Sequence, residues 1–163
     1  MKNVMIIKHS ALACVMIIFS AMLAIVPTDS YSQSQKLESE SVEISTKRGK
    51  FIFEIEIADQ PEERTIGLMN RDQIDPRGGM LFVFEMPQII QMWMKNTLIS
   101  LDMIFVDAGG RVIEIAERTV PHSLAIISST QKVPYVLELA GGMASFIGLQ
   151  SGDTLKHKLF EIK

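Results

Sequence analysis

Residues 93–97 (WMKNT), followed by Asp102, form the stretch of this sequence whose side-chain types and spacing offer the most chemistry. Trp93 and Lys95 are two positions apart, so in a strand they would point to the same side. An indole beside an ammonium group, the carboxamide of Asn96 and a carboxylate would make a small polar binding surface. We therefore predict a ligand-binding site here and assign no catalytic residue.

This predicted site depends on two neighbouring strands. If residues 89–94 pair with residues 101–106, Lys95 and Asp102 lie nearly opposite each other. A purely structural interpretation stays open as well. Cross-strand lysine–aspartate pairs are common, asparagine and threonine are ordinary turn residues, and a tryptophan often fills a core.

Metal chemistry is a weaker alternative. Met86, Met92 and Met94 could offer thioethers to Cu(I), but methionine more often fills cores and no histidine lies nearby in the sequence. His122 and His157 are the only histidines after residue 32, whereas a structural zinc site draws four ligands mainly from cysteine and histidine. We predict no metal site and no cofactor.

The elements that must position these side chains are mostly strands. Residues 50–57 (KFIFEIEI) alternate, which predicts a strand with one buried and one solvated face. Asp59, followed by a proline and two acids, indicates a short helix, and residues 107–110 (DAGG) indicate a hairpin turn. Further strands are predicted over residues 80–84, 89–94, 101–106, 111–117, 134–139 and 154–162, and helical turns over 143–149. The pattern predicts a mainly β, single-domain fold, a β-sandwich or barrel-like, with one or two short helices.

The first 32 residues are expected to be a signal peptide. Two lysines precede an apolar run over residues 11–26, which is shorter than the roughly 20 residues of a bilayer span. Small residues predict cleavage after Ser32, followed by a flexible polar leader (33–41) and one β-rich domain (42–163). We expect an exported protein of the periplasm or cell envelope, anchored in the membrane if the segment stays uncleaved.

Charge and cysteine content narrow the range of partners. The chain has a formal net charge of −3, and nucleic acids or anionic membrane surfaces bind basic patches, so neither is expected as a partner. The single cysteine, Cys14, lies inside the predicted signal peptide. The mature domain is therefore expected to contain no disulfide and no thiol nucleophile.

Five short segments carry a resemblance to a known family: residues 67–71 (GLMNR), 79–84 (GMLFVF), 93–97 with 101–102 (WMKNT, LD), 110–112 (GRV), and 136–139 (VLEL) with Gly142. Together they resemble the signature of the domain of unknown function 192 family, over roughly residues 42–162. The resemblance implies a commonly exported bacterial protein with a β-sandwich fold and no established activity. It also implies that the family's characteristic polar positions fall on Arg71, Lys95, Asn96, Asp102 and Glu138.

Three functions are open on these observations. We favour a non-catalytic module that binds a small polar ligand, a glycan fragment or an envelope protein. A structural or interaction domain without a ligand site is the second interpretation. The third is a hydrolase-like enzyme with Asp102 or Glu138 as acid or base and Lys95 tuning the charge. The candidate ligand-binding residues are Trp93, Lys95, Asn96, Asp102, Glu138 and Arg71.

Overall fold

The computed structural model of the chain describes residues 37–160. The predicted signal peptide (1–32) and residues 33–36 of the predicted leader lie outside the described residues. The described part is mainly β, as predicted, and none of its helices is long and apolar enough to cross a membrane. In chain order the elements are β1 (Ser39–Thr46), β2 (Gly49–Ala58), α1 (Pro61–Ile66), β3 (Gly78–Gln88), β4 (Gln91–Met92), β5 (Leu101–Val106), β6 (Val112–Ala116), β7 (Ile127–Ser128), β8 (Val133–Ala140), α2 (Met143–Ile147), β9 (Thr154–Lys156) and a final 3-10 turn (Lys158–Phe160).

Seven strands form one curled sheet in the order β6-β5-β8-β3-β2-β1-β9, while β4 and β7 pair with each other. Strands β2 and β3 run parallel, with α1 in the connection between them. The two edges of the sheet approach each other at a bridge between Arg111 and Thr154. There the N–H of Leu155 donates to the carbonyl of Gly110 at 2.7 Å. The sheet is therefore a half-barrel, the barrel-like form of the predicted architecture.

The sheet carries hydrophobic side chains on both of its faces. One cluster includes Val112 of edge strand β6 and Leu155 of the opposite edge strand β9, so it fills the inside of the curl. A second cluster lies on the outer face of β2, β3, β8 and β5, where connecting segments cover it with Leu68, Ile90 and Met94. The central strands are thus buried on both sides, and all six residues of β5 are buried.

Two predicted strands differ from the structure. Strand β3 continues through Pro87, because its register with β8 shifts between Val83 and Gln88 and the proline falls in that irregular stretch. Residues 89–94 contain only the two-residue strand β4, which pairs with β7. The predicted pairing of 89–94 with 101–106 is wrong, because β5 is already flanked by β6 and β8.

Other predicted elements are present with shifted boundaries. The turn at 107–110 joins β5 to β6 as expected. Strand β1 begins at Ser39, so the end of the predicted leader segment lies in a strand. The predicted strand over 154–162 is shorter, because the pairing of β9 with β1 ends at Lys156 and a 3-10 turn follows.

Candidate functional site

A cleft of about 400 Å³ lies on the outer side of the sheet, between α1 and the segment that contains β4 and Trp93. Polar side chains reach it at only a few positions, among them Arg64, Thr97 and Glu138. The rest of the lining is largely apolar, as is usual for sites that hold small molecules. Its apolar wall includes Ile66, Leu68, Met69, Phe82, Phe84 and Met92.

Glu138 lies at the floor of this cleft. On β8 it stands directly across from Met80 of β3 and from Met103 of β5, and both methionines are fully buried. Only 4% of Glu138 is exposed, and within residues 37–160 no group donates a hydrogen bond to its carboxyl. A carboxyl that lies between two thioether side chains keeps little of its hydration and gains no described donor in exchange.

The protonation of Glu138 follows from this environment. Burial disfavours the charged form and raises the pKa of the Glu138 carboxyl to about 8. At neutral pH the side chain is then mostly the uncharged acid, which can both donate and accept a hydrogen bond. A neutral carboxylic acid held in an apolar site is a known means of offering a proton or a hydrogen bond to a bound molecule.

Helix α1 reaches the cleft because Gly67 ends it with a φ of 48°. A Cβ at this position would come within 2.9 Å of the Phe82 ring, so only glycine allows this approach without a shift. The helix begins at Pro61 and its N-cap is Gln60, whereas the sequence predicted Asp59. The close approach places the last turn of α1 against the aromatic wall of the cleft.

Arg64 is fixed against the same wall. Its Nη1 atom donates to the carbonyl of Val83 at 2.9 Å and to the carbonyl of Asp59, and its guanidinium carbon lies 5.3 Å from the ring centre of Phe84. Its Nε and Nη2 atoms have no partner among the described residues. Two nitrogen atoms of an anchored cation, with three N–H groups between them, are therefore available at the cleft.

Trp93 and Lys95 lie together, as predicted, at the rim. The Lys95 ammonium is 5.1 Å from the Trp93 ring centre, within the range of a cation–π contact. Trp93 is 44% exposed and lines the cleft. Their shared side does not come from a strand, because β4 ends at Met92.

Three connecting loops contain residues other than glycine in unusual backbone conformations. Asn70, Asn96, Arg118 and His122 have positive φ values of 59°, 55°, 50° and 60°, which cost free energy for residues other than glycine. The N–H of Asn70 donates to the carbonyl of Asn96 at 2.8 Å, and the N–H of His122 donates to the carbonyl of Thr97 at 3.1 Å. The backbone carbonyls of Asn96 and Thr97 thus connect this segment to the other two loops, and the Asn96 side chain is exposed.

Asp102 does not meet Lys95. Its fully buried carboxylate accepts hydrogen bonds from the backbone N–H groups of Arg118 (2.7 Å), Gly142 (2.9 Å) and Ala144 (2.8 Å). The predicted Lys95–Asp102 juxtaposition is wrong because it required the strand pairing that β5 does not make. Asp102 instead holds the start of α2 against the loop after β6.

Asp102 and Glu138 also point away from each other. Asp102 stands across from Leu139, whose side chain belongs to the inner core, whereas Glu138 shares the outer face with Met103. An enzyme that uses both carboxyls in one cleft is therefore excluded by this geometry.

Arg71 lines a second cleft, whose lining includes the charged residues Glu56, Asp75 and Arg77. Its Nη1 and Nη2 atoms donate to the two carboxylate oxygens of Glu56 at 2.5 and 2.8 Å, and this contact raises the pKa of Arg71. Glu56 also accepts the N–H of Leu37 at 3.0 Å. The alternating pattern of β2 placed Glu56 on a solvated face, but the salt bridge to Arg71 covers it.

The three candidate thioether ligands have different surroundings. Met86 is 73% exposed and Met94 is fully buried, where its sulfur accepts a hydrogen bond from the Thr119 hydroxyl at 3.1 Å. Within residues 37–160, no three His, Cys, Asp or Glu side chains gather as a metal site requires.

The polar residues that line the cleft also include some that were not proposed as site residues from the sequence, among them Arg64 and Thr97. Arg64 belongs to a short helix whose position depends on Gly67, and its long-range contact with Val83 has no sequence signal. Thr97 is part of the 93–97 stretch, but its spacing suggested only a turn residue. Its buried hydroxyl donates to the carbonyl of Lys95 at 3.3 Å.

A search of curated proteins finds no match. Two solved structures are similar. A protein from Sinorhizobium meliloti 1021, provisionally described as a transcription regulator, is 41% identical, has a TM-score of 0.73, and the match covers 76% of this chain and 97% of that one. A protein of unknown function from Novosphingobium aromaticivorans is 32% identical, with a TM-score of 0.74 and coverage of 76% and 89%.

The family comparison agrees with the resemblance seen in the sequence. The model of the DUF192 family, described as an uncharacterized ACR, matches residues 42–157. This range contains the half-barrel from β1 to β9 apart from the first residues of β1. The chain therefore belongs to the DUF192 family.

Proposed function

We propose that this domain is a non-catalytic binding module whose ligand occupies the cleft beside α1. The observation that carries the proposal is the carboxyl of Glu138, which is buried, lines an open cleft and has no described hydrogen-bond donor. An unpaired buried polar group costs stability. A ligand that supplies the missing hydrogen bond would offset that cost.

The other parts of the cleft support a small ligand with one polar and one apolar end. Phe82, Phe84 and the exposed Trp93 offer flat apolar surface, while Arg64 and Glu138 offer polar groups. Asp102 and Arg71 have structural partners elsewhere and are not part of this proposed site. Of the six residues selected from the sequence, Trp93 and Glu138 line the cleft directly and Lys95 contacts Trp93 at its rim.

The predicted signal peptide makes the cell envelope the compartment where the ligand would be met, and we include that location in the proposal. Soluble cell-wall fragments are therefore the first probes. The Sinorhizobium meliloti relative is provisionally described as a transcription regulator, but the acidic net charge of this chain disfavours DNA as a partner.

The test uses the intrinsic fluorescence of Trp93, the single tryptophan of the chain. The purified domain is titrated with lysozyme-released cell-wall fragments and with a library of small organic fragments. We expect saturable changes in Trp93 emission for at least one probe, and loss of that response in Glu138→Met.

Glu117→Met is the matched control, because it makes the same substitution at an exposed position outside the cleft lining. It should bind like the unmodified protein. A response that survives in Glu138→Met, or the absence of any saturable response to either probe set, would contradict the proposed site.

A further inference from the structure

We infer that the cleft selects ligands carrying a carboxylate, received by Arg64 on its wall and by Glu138 on its floor. The inference names the ligand class and rests on the binding function proposed above. It is carried by the donors that reach the cleft, by the cations already present around it, and by the charge state of its floor.

The free donors of Arg64 are the first observation. Because both described hydrogen bonds of its guanidinium use Nη1, the Nε and Nη2 groups remain on one edge of a cation that is already immobilised. A carboxylate accepts two parallel N–H bonds from such an edge. Immobilisation before binding lowers the entropic cost of forming them.

The cations around the cleft are the second observation, and they argue against a cationic ligand. An ammonium ligand would be attracted to the faces of aromatic rings. The Phe84 ring already has the Arg64 guanidinium at 5.3 Å, and the Trp93 ring has the Lys95 ammonium at 5.1 Å. A second cation would meet repulsion from these two charges, whereas an anion would be attracted.

The floor of the cleft completes the donor set. Burial raises the pKa of Glu138 to about 8, so at neutral pH its carboxyl can donate a hydrogen bond to an anion. The neighbours of the Glu138 carboxyl are Met80 and Met103 on the adjacent strands and Arg64 on α1. The next charged groups, Glu56 and its partner Arg71, lie on the far side of Met80. An arginine and a neutral acid leave the cleft lining with a positive charge.

The experiment compares acids with their amides, which have the same shape and no charge. The probes are phenylacetate with phenylacetamide, and N-acetylmuramic acid with its amide, so that an aromatic and a sugar body are both represented. At neutral pH we expect at least one acid to bind about tenfold more tightly than its amide. The acid–amide pair that binds then shows whether the apolar wall accepts an aromatic ring or a sugar ring.

The pH dependence provides a second readout. Above about pH 8 the ionised Glu138 repels a bound carboxylate, so the affinity of the acid should fall by about tenfold per pH unit. In Glu138→Gln this fall should disappear.

In Arg64→Gln the preference for the acid should be lost, while Arg64→Lys should retain part of it because the charge is kept. Thermal melting of each variant checks that it is folded.

The possible outcomes separate this inference from the proposed function. If an amide binds as tightly as its acid, with a response that requires Glu138, the cleft is a binding site and the carboxylate inference is wrong. An affinity that rises with pH in the unmodified protein would also overturn it, because that sign indicates a cation paired with ionised Glu138. If neither acid nor amide binds, the inference fails, and the broader fragment screen decides the proposed function separately.

Discussion

The side chains of Asp102 and Glu138 leave opposite faces of one sheet, although their strands, β5 and β8, are direct neighbours. Asp102 stands across from Leu139 and Glu138 across from Met103, so the two acids differ by one position in register. Because side chains alternate along a strand, this one position separates the inner core from the outer cleft. Asp102 accepts three backbone N–H groups, while Glu138 faces the cleft without a described donor.

Replacing Glu138 by methionine should make the domain more stable. The substituted side chain would lie between Met80 and Met103 and would remove an unpaired buried carboxyl, which costs about 1–3 kcal/mol. Urea unfolding at neutral pH should show a gain of that order in the free energy of unfolding. A residue retained for binding is expected to carry such a stability cost. A marked loss of stability in Glu138→Met would instead favour a purely structural role.

The stability of the unmodified domain should fall as pH rises from about 5 to about 8. The pKa of Glu138 is raised from its ordinary 4.5 to about 8 in the folded protein, so over this interval the native state keeps a proton that the unfolded chain releases. The contribution of Glu138 to the free energy of unfolding then decreases by up to about 1.4 kcal/mol per pH unit. Below about pH 4.5 the carboxyl is neutral in both the folded and the unfolded state, so Glu138 no longer makes the free energy of unfolding depend on pH.

Glu138→Gln provides the reference for this pH effect, because glutamine does not titrate. The difference in unfolding free energy between Glu138→Gln and the unmodified protein should grow between about pH 5 and pH 8 and then level off. A difference that stays constant over this interval would show that Glu138 ionises normally.

Asp102→Asn should destabilise the domain by about 2–4 kcal/mol. Asparagine would place an NH₂ group against backbone N–H donors that now bond to both carboxylate oxygens, and hydrogen bonds to charged groups contribute about 1.5–3 kcal/mol each. Chemical denaturation measures the loss.

Asp107→Asn is the matched control for Asp102. Asp107 also accepts two backbone N–H groups, but both bond to one oxygen in an exposed turn, which asparagine can keep. Its loss should stay below about 1 kcal/mol. Equal losses in the two variants would contradict the role assigned to Asp102.

Arg71→Met should cost about 3–5 kcal/mol, because it leaves the carboxylate of Glu56 buried without its bidentate partner. The double variant with Glu56→Met should recover part of that loss, since no buried charge remains. Recovery should be incomplete because the N–H of Leu37 also loses its acceptor. A double-mutant cycle measured by urea unfolding gives the coupling energy, and a coupling near zero would contradict this account.

Much of the fold could be predicted from local sequence patterns. The alternation of residues 50–57, the apolar run of β5 and the DAGG turn each depend on neighbours in the chain, and each gave the correct element. The pairing of residues 89–94 could not be predicted in this way. Strand β5 has β6 and β8 as partners, and that choice depends on long-range burial on both faces of the sheet.

The candidate site was predictable only in part, for the same reason. Trp93 and Lys95 are close in the sequence and lie together in the structure. Which face Glu138 occupies depends on the register of β8 between two other strands, and the position of Arg64 depends on the approach of Gly67 to Phe82. Asp102 was expected to face Lys95, but its carboxylate bonds instead to backbone N–H groups from loops distant in the sequence.

The floor and the walls of the proposed binding cleft belong to different parts of the fold. Glu138 belongs to a central strand flanked on both sides, whereas Ile66, Met69 and Met92 belong to a helix end and to connecting segments at the surface. Exchange of these wall residues would alter the shape and selectivity of the cleft with little effect on the half-barrel, because none of them belongs to the inner core. The same scaffold could thus diversify toward acids of different size while the polar anchor keeps its place.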